Sequence, residues 1–199
     1  DNLVNKPLGL TFEQAAVVPV SGTTAIQGLR DVGQIEDGQS VLIIGASGGV
    51  GTFAVQIAKS YGAQVTGVCS TSKVDLVRSL GADDVVDYTH EDFADGVHKY
   101  DLILDIGGNS SLSRLRRALT RTGTLVIVGG EDGGNWTGGI CRQLRAFVMS
   151  LFLRQRLTSF ISKASGADLE SLIPLIDAGD VTPIIDKTYP LAEAPTAMN

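Results

Sequence analysis

Residues 45–51 read Gly45-Ala46-Ser47-Gly48-Gly49-Val50-Gly51, between a short apolar run at Ser40–Ile44 and a helical pattern over Gly48–Tyr61. The apolar run is typical of a strand buried on both faces. Glycines after such a strand let the backbone turn tightly and let helix and strand pack closely. Because the free N–H groups of a helix N-terminus attract phosphate, the stretch predicts a phosphate-binding loop. The alternative is a glycine-rich turn that binds no ligand.

Strand and helix patterns alternate along the chain beyond this loop. Further strands are expected at Val65–Cys69, Asp84–Asp87, Tyr100–Ile106 and Thr124–Val128, and helices at Lys73–Leu80 and Ser110–Leu119. Strands and helices in this order, with short connections, predict a parallel sheet that carries helices on both faces.

The two flanks are less regular, but they are expected to belong to the same domain. Thr11–Val32 is mainly helical and contains Pro19, which predicts two helices. Beyond the core, the patterns predict a glycine-rich loop at Gly129–Gly139, helices at Ile140–Leu153, Ala167–Ala178 and Leu191–Met198, and strands at Arg156–Ile161 and Ile184–Lys187. We therefore expect one domain over residues 1–199, with a helical lead-in over 1–35, a nucleotide-binding core over 40–130 and a C-terminal part over 140–199.

Composition and charge exclude several classes of protein. The chain is 43% hydrophobic with a net charge of −6, which argues against disorder and against a basic nucleic-acid-binding surface. Its two cysteines, Cys69 and Cys141, are too few for a disulfide framework and too isolated for a cysteine-based zinc site. The sequence contains no apolar run long enough to span a bilayer and no signal-peptide pattern at its start. These features predict a cytoplasmic protein without a membrane span.

The end of the second expected strand predicts which dinucleotide the loop would bind. An NAD site usually has a carboxylate there, about 20 residues beyond the glycines, to hold the ribose hydroxyls. Here the sequence is Cys69-Ser70-Thr71-Ser72-Lys73. Hydroxyls and an ammonium group suit the 2′-phosphate of NADP, whereas a carboxylate would repel it. The alternative is that Lys73 is an ordinary solvated lysine.

Four longer runs carry a family resemblance: PLGLTFEQAAVVPVSGTTAIQGL (7–29), LIIGASGGVGTFAVQIAK (42–59), LGADDVVDY (80–88) and LILDIGG (102–108). Together they resemble the cofactor domain of the medium-chain dehydrogenase/reductase superfamily, in particular its zinc-independent quinone oxidoreductase branch and the reticulon-interacting NADPH reductases. The resemblance implies a doubly wound Rossmann fold with six parallel strands in the order 3-2-1-4-5-6. It also implies that a GroES-like catalytic lobe, found in whole members of the family, is absent from this chain.

The resemblance also assigns residues to the cofactor. It implies that the phosphates lie against Ser47, Gly48, Gly49, Val50 and Gly51, that the 2′-phosphate lies against Ser70, Lys73 and Tyr88, and that the nicotinamide passes Thr24, Gly107 and Gly130. Two of these have plain alternatives: Thr24 as a helix-capping hydroxyl and Tyr88 as a residue of the cleft rim. The resemblance identifies no catalytic residue in this chain.

Function follows from the resemblance as an expectation. The whole protein is expected to be an NADPH-dependent oxidoreductase that transfers hydride to a quinone or an α,β-unsaturated carbonyl, and this chain alone is expected to be inactive. The alternatives are a stand-alone NADP-binding sensor or regulatory module without catalysis, and an enoyl-reductase module of a larger synthase.

Two further expectations concern metal and assembly. Zinc-dependent members of the superfamily have a cysteine ligand two residues before the glycine that corresponds to Gly22, and this chain has Val20 there. Valine cannot bind zinc, so no metal site is expected. The strand at residues 156–161 is expected at the edge of the sheet, where the family commonly pairs two copies into a homodimer.

Overall fold

The structure is a computed structural model that describes residues 3–108, 110–128 and 154–197. Its strands are β1 (Ser40–Ile44), β2 (Gln64–Cys69), β3 (Asp84–Asp87), β4 (Tyr100–Asp105), β5 (Leu119–Val128) and β6 (Arg156–Phe160). Its α-helices are α1 (Phe12–Ile26), α2 (Gly49–Ser60), α3 (Val74–Ser79), α4 (Leu112–Ala118), α5 (Gly166–Ala178) and α6 (Ala194–Ala197). A π-helical segment at Gln27–Gly33 continues α1, and 3-10 turns at Thr71–Lys73 and Leu191–Glu193 precede α3 and α6.

The six described strands form one parallel sheet in the order β3-β2-β1-β4-β5-β6. The predicted Rossmann architecture and strand order are confirmed. β2 and β3 are added on one side of β1, and β4, β5 and β6 on the other side. The switch point between β1 and β4 is where open α/β sheets bind ligands. The strand that begins at Arg156 lies at one edge of the sheet, as expected.

Burial on both faces explains why the central strands are apolar without interruption. Val41 and Ile43 pack into one layer with Phe53 of α2, whereas Leu42 and Ile44 pack into the opposite layer with Leu115 of α4. Neighbouring residues of a strand point to opposite faces, so each face needs its own set of large side chains. The helices that cover these faces hold the ends of β1 and β4 in place.

The predicted break at Pro19 is wrong, because α1 continues through this residue to Ile26. Proline removes one backbone donor from the helix, but tertiary packing compensates. The close approach of Gly22 to Leu172 of α5 is part of that packing, since a Cβ at Gly22 would lie 2.9 Å from the Leu172 side chain. The helical path changes at Gln27 instead, where the backbone becomes π-helical.

A polar network holds this π-helical segment against α5. The Gln27 side chain donates to the Lys163 carbonyl at 2.9 Å and to the Asp168 carboxylate at 2.7 Å. Arg30 forms an ion pair with the same carboxylate and donates to the Ser171 hydroxyl at 3.1 Å. Burial raises the pKa of Asp168, but the hydrogen bonds from Gln27 and Arg30 outweigh it and leave that pKa below its usual value. The charged carboxylate therefore stabilises the joint between the two helices.

Two other predicted boundaries were wrong. β5 begins at Leu119 rather than at Thr124, because Leu119 pairs with Tyr100 before the register shifts. Residues 184–187 form no strand; Thr182 just before them is bonded to Gln56 of α2, and Asp186 pairs with Lys73 in the turn before α3. The predicted helix at Leu191–Met198 is confirmed as far as residue 197. The predicted glycine-rich loop, the helix over 140–153, and Met198 lie outside the described residues.

Candidate functional site

A cleft of about 570 Å³ opens at the carboxyl ends of the central strands. The described residues that line it are Ile44, Gly45, Ser47, Gly48, Val68, Cys69, Ser70, Tyr88, Phe93, Ile106, Gly107, Ser110 and Arg114. They come from the ends of β1, β2, β3 and β4, from the glycine-rich loop, from the loop between β3 and β4, and from the start of α4. The cleft therefore lies at the switch point of the sheet, next to the glycine-rich loop.

The glycine-rich loop is held tightly between β1 and α2. Gly45 has a φ of +86°, a conformation that side chains disfavour, and its N–H donates to the Val68 carbonyl at 3.2 Å. A Cβ at Gly51 would lie 2.7 Å from the Ala46 carbonyl carbon and closer still to the Gly45 carbonyl oxygen. Only glycine fits this position, because the helix starts directly against the backbone of the loop.

The start of α2 has the electrostatic properties of an anion site. Gly48 is the N-cap residue and has an extended backbone. As a glycine it has no side chain to cap the helix. The first turn reads Gly49-Val50-Gly51-Thr52 and so has no carboxylate. The N–H groups at a helix start have no intrahelical acceptors, and the helix dipole favours negative charge there. Ser47 and Gly48 form the cleft wall beside this helix end.

The ends of β2 and β3 place two of the three expected 2′-phosphate residues in the cleft. Ser70 and Tyr88 both line it, and Tyr88 is 59% exposed. Lys73 is not among the described residues that line the cleft. Its Nζ donates to the Asp186 carboxylate at 2.8 Å. Lys73 is one turn from the cleft wall, since its N–H donates to the Ser70 carbonyl at 2.9 Å.

The Asp87 carboxylate at the end of β3 is hydrogen-bonded to neighbouring hydroxyl groups. Asp87 pairs in register with Cys69 and accepts bonds from the hydroxyls of Thr71 at 2.5 Å and Thr89 at 2.7 Å. These bonds hold the pKa of Asp87 below its usual value. Burial, and then the charge of Asp87, raise the pKa of the Cys69 thiol. Cys69 is therefore a neutral apolar part of the cleft wall at pH 7.

The three residues expected near the nicotinamide have different positions. Gly107 lines the cleft, and its N–H donates to the Ile44 carbonyl at 3.2 Å. Thr24 is buried within α1, and its hydroxyl donates to the Val20 carbonyl at 2.7 Å, so it does not cap the helix. Gly130 lies outside the described residues.

One aromatic and cationic part of the cleft wall was not predicted from the sequence. The Arg114 guanidinium lies 4.5 Å from the centre of the Phe93 ring and donates to Asp92 at 2.8 and 3.0 Å. Phe93 is 4% exposed, and both residues line the cleft. No local motif marks them, because α4 meets the loop before β4 only in the folded sheet.

Comparison with known proteins assigns the family. The zinc-binding dehydrogenase family model matches residues 80–199, more than half of the chain. The chain belongs to this family, a branch of the medium-chain dehydrogenases/reductases.

Relatives of this medium-chain dehydrogenase/reductase domain agree with the assignment. It is 38% identical to the mitochondrial NAD(P)H oxidoreductase RTN4IP1 of Mus musculus, over 97% of the chain and 53% of the relative. It is 32% identical to 2-methylene-furan-3-one reductase of Solanum lycopersicum, over 94% of the chain and 42% of the relative. The solved quinone oxidoreductase from Coxiella burnetii superposes with a TM-score of 0.83 at 27% identity, over 99% of this chain and 59% of that one. The chain thus spans about half the length of the relatives it matches.

The match to a zinc-binding dehydrogenase family does not test whether a metal binds near Val20. The matched residues begin at Leu80, so the match does not include that position. Across residues 3–108, 110–128 and 154–197, no three His, Cys, Asp or Glu side chains are grouped as a metal site. In the same ranges no helix is long and apolar enough to cross a membrane. The expectations of no metal and of a cytoplasmic location stay predictions.

Proposed function

We propose that this chain is the NADP(H)-binding domain of an oxidoreductase that transfers hydride to a quinone or an α,β-unsaturated carbonyl. The observation that carries the proposal is the junction of β1, the glycine-rich loop and α2, open to a cleft at the switch point of the sheet. The pyrophosphate lies against Ser47, Gly48, Gly49, Val50 and Gly51, where helix N–H groups are free to donate.

Preference for NADP over NAD rests on the ends of β2 and β3. Ser70 and Tyr88 line the cleft and carry hydroxyls, and Lys73 can supply a cation from the turn beside Ser70. The carboxylate at the end of β3, Asp87, is bonded to Thr71 and Thr89. Hydroxyl and ammonium donors suit a 2′-phosphate, and one charge-assisted hydrogen bond is worth about 1.5–3 kcal/mol.

The substrate class is supported by the relatives. An NAD(P)H oxidoreductase, a methylene-furanone reductase and a quinone oxidoreductase are similar to this chain. The first name gives a nicotinamide cofactor, the second a conjugated ketone and the third a quinone. In the whole protein, Gly107 and Gly130 pass beside the nicotinamide, and Thr24 lies near it. The dihydronicotinamide supplies the hydride, while this domain orients the cofactor and excludes water.

Calorimetric titration of the 199-residue chain with NADPH and with NADH tests the cofactor. We expect both to bind and NADPH to bind at least tenfold more tightly. A chain that takes up neither dinucleotide at millimolar concentration overturns the proposal. Equal affinities would leave a dinucleotide site but overturn the preference for NADP.

Catalysis by the whole protein separates the proposed enzyme from a sensor module. We expect NADPH oxidation with quinones or enones in the full-length protein and negligible turnover by this chain alone. A full-length protein that binds NADPH but reduces none of these acceptors favours the sensor. Flanking carrier or ketoreductase modules in the full gene would favour the synthase.

Sedimentation of the full-length protein tests the proposed homodimer through the edge strand β6.

A further inference from the structure

Lys73, the cation proposed for the 2′-phosphate of NADP, forms an ion pair with Asp186. The Nζ of Lys73 is 2.8 Å from the Asp186 carboxylate, and the two side chains are 39% and 84% exposed. The hydrogen bond and charge of Lys73 lower the pKa of Asp186, so this carboxylate is charged at neutral pH. Lys73 is therefore already partnered before a cofactor arrives.

The segment that carries Asp186 is anchored to the body of the domain. Val181 is 1% exposed, and its N–H donates to the Leu175 carbonyl of α5 at 3.1 Å. Gln56 of α2 then holds Thr182 by two bonds, accepting from its N–H at 2.8 Å and donating to its carbonyl at 3.1 Å. Because the anchor is four residues away, Asp186 returns to the neighbourhood of Lys73 rather than diffusing freely in solvent.

We propose that Asp186 is a specificity-determining residue, whose carboxylate competes with the 2′-phosphate for Lys73 and so limits the preference for NADPH over NADH. The inference rests on the proposed function, since it needs a dinucleotide in the cleft. NADPH must separate Lys73 from Asp186, and the lost ion pair reduces the net gain in binding. NADH has no 2′-phosphate and leaves the ion pair intact.

Exposure limits the size of this effect. Ion pairs open to solvent are weak, so neutralising Asp186 should tighten NADPH binding by roughly two- to fivefold. Screening by salt reduces interactions between exposed charges, so the gain should shrink between 50 and 500 mM salt. The affinity for NADH should change by less than the error of the titration.

The test is calorimetric titration of the 199-residue chain and its Asp186→Asn variant with NADPH and NADH at 50 mM salt. The matched control is Asp180→Asn, which removes an exposed carboxylate six residues earlier. We expect the gain for NADPH in Asp186→Asn alone. An Asp186→Asn variant that binds NADPH no more tightly than Asp180→Asn overturns the inference.

A second variant separates competition from general repulsion. In a Lys73→Met background the cation is gone, so Asp186→Asn should no longer improve NADPH binding. A gain that persists undiminished in that background would show simple charge repulsion and overturn the inference. Failure of the proposed function has a different signature, since the unaltered chain would then bind neither dinucleotide.

Discussion

Replacement of Gly51 by alanine should disrupt both the fold around the loop and the binding of dinucleotide. The added Cβ would lie 2.7 Å from the carbonyl carbon of Ala46 and 2.8 Å from its Cα, with the Gly45 oxygen closer still. Ordinary contact begins near 3.4 Å, so relief of the contact with the Ala46 carbonyl carbon alone takes a shift of about 0.7 Å, and the Gly45 oxygen demands more. The obstacle is the backbone of the loop, so a change of side-chain rotamer cannot relieve it.

The magnitude follows from two opposing effects. Alanine gains about 1 kcal/mol over glycine inside a helix, whereas overpacking costs about 1–3 kcal/mol and more when backbone has to move. We expect a net loss of about 2 kcal/mol, which lowers the melting temperature by about 4–8 °C for a domain of this size. Displacement of the N–H groups of α2 should also weaken NADPH binding by about tenfold or more.

Thermal unfolding without ligand, followed by circular dichroism, measures the first effect, and calorimetry measures the second. Gly48→Ala is the matched control, because a Cβ at Gly48 would meet only the Gly45 oxygen at 3.5 Å, an ordinary contact. Gly48 also has a φ of −78°, which alanine adopts freely. A Gly51→Ala protein that melts at the same temperature as Gly48→Ala and binds NADPH as tightly as the unaltered chain would refute the packing argument.

Three further predictions concern charge. Lys73→Ala should weaken NADPH binding by about tenfold or more and leave NADH within twofold; equal losses in titrations of both would remove Lys73 from the phosphate site. Ser70→Asp should shift preference toward NADH, because a carboxylate there binds ribose hydroxyls and repels the phosphate; unchanged selectivity would mean that Ser70 does not face the adenosine ribose. Asp168→Asn should lower the free energy of unfolding, measured in urea at pH 7, by about 1–3 kcal/mol, because Gln27 and Arg30 lose a charged partner. The folded pKa of Asp168 is lowered, so its stabilisation is present above the unfolded value near 4 and is lost as the pH falls through the folded value. The difference in the free energy of unfolding between the unaltered chain and Asp168→Asn should therefore narrow toward pH 3. A difference that stays constant would mean that the charge of Asp168 does not stabilise the fold.

Spacing along the chain was enough to predict the strands of the sheet and the glycine-rich turn into α2. Apolar runs such as Ser40–Ile44 mark strands covered on both faces, and the glycines from Gly45 to Gly51 mark a tight turn into a helix. Each of these signals is local, because burial and backbone conformation leave their mark on neighbouring residues. The order of the strands came from the family resemblance rather than from the spacing.

Local patterns failed where distant packing outweighs propensity. α1 continues through Pro19, and Gly22 lets this helix lie close against Leu172 of α5, 150 residues later in the chain. Residues 184–187 have the composition of a strand but form none, and Asp186 in this stretch pairs with the distant Lys73. Neither outcome is visible in a window of ten or fifteen residues.

The sequence by itself determined that a strand, a glycine-rich turn and a helix follow one another, and that hydroxyls and a lysine follow the second strand. Only the tertiary structure decided that Phe93 and Arg114 complete the cleft and that Lys73 meets Asp186, 113 positions away. The physical reason is that backbone geometry depends on adjacent residues, whereas the partner of a charge depends on which helices and loops the sheet brings together.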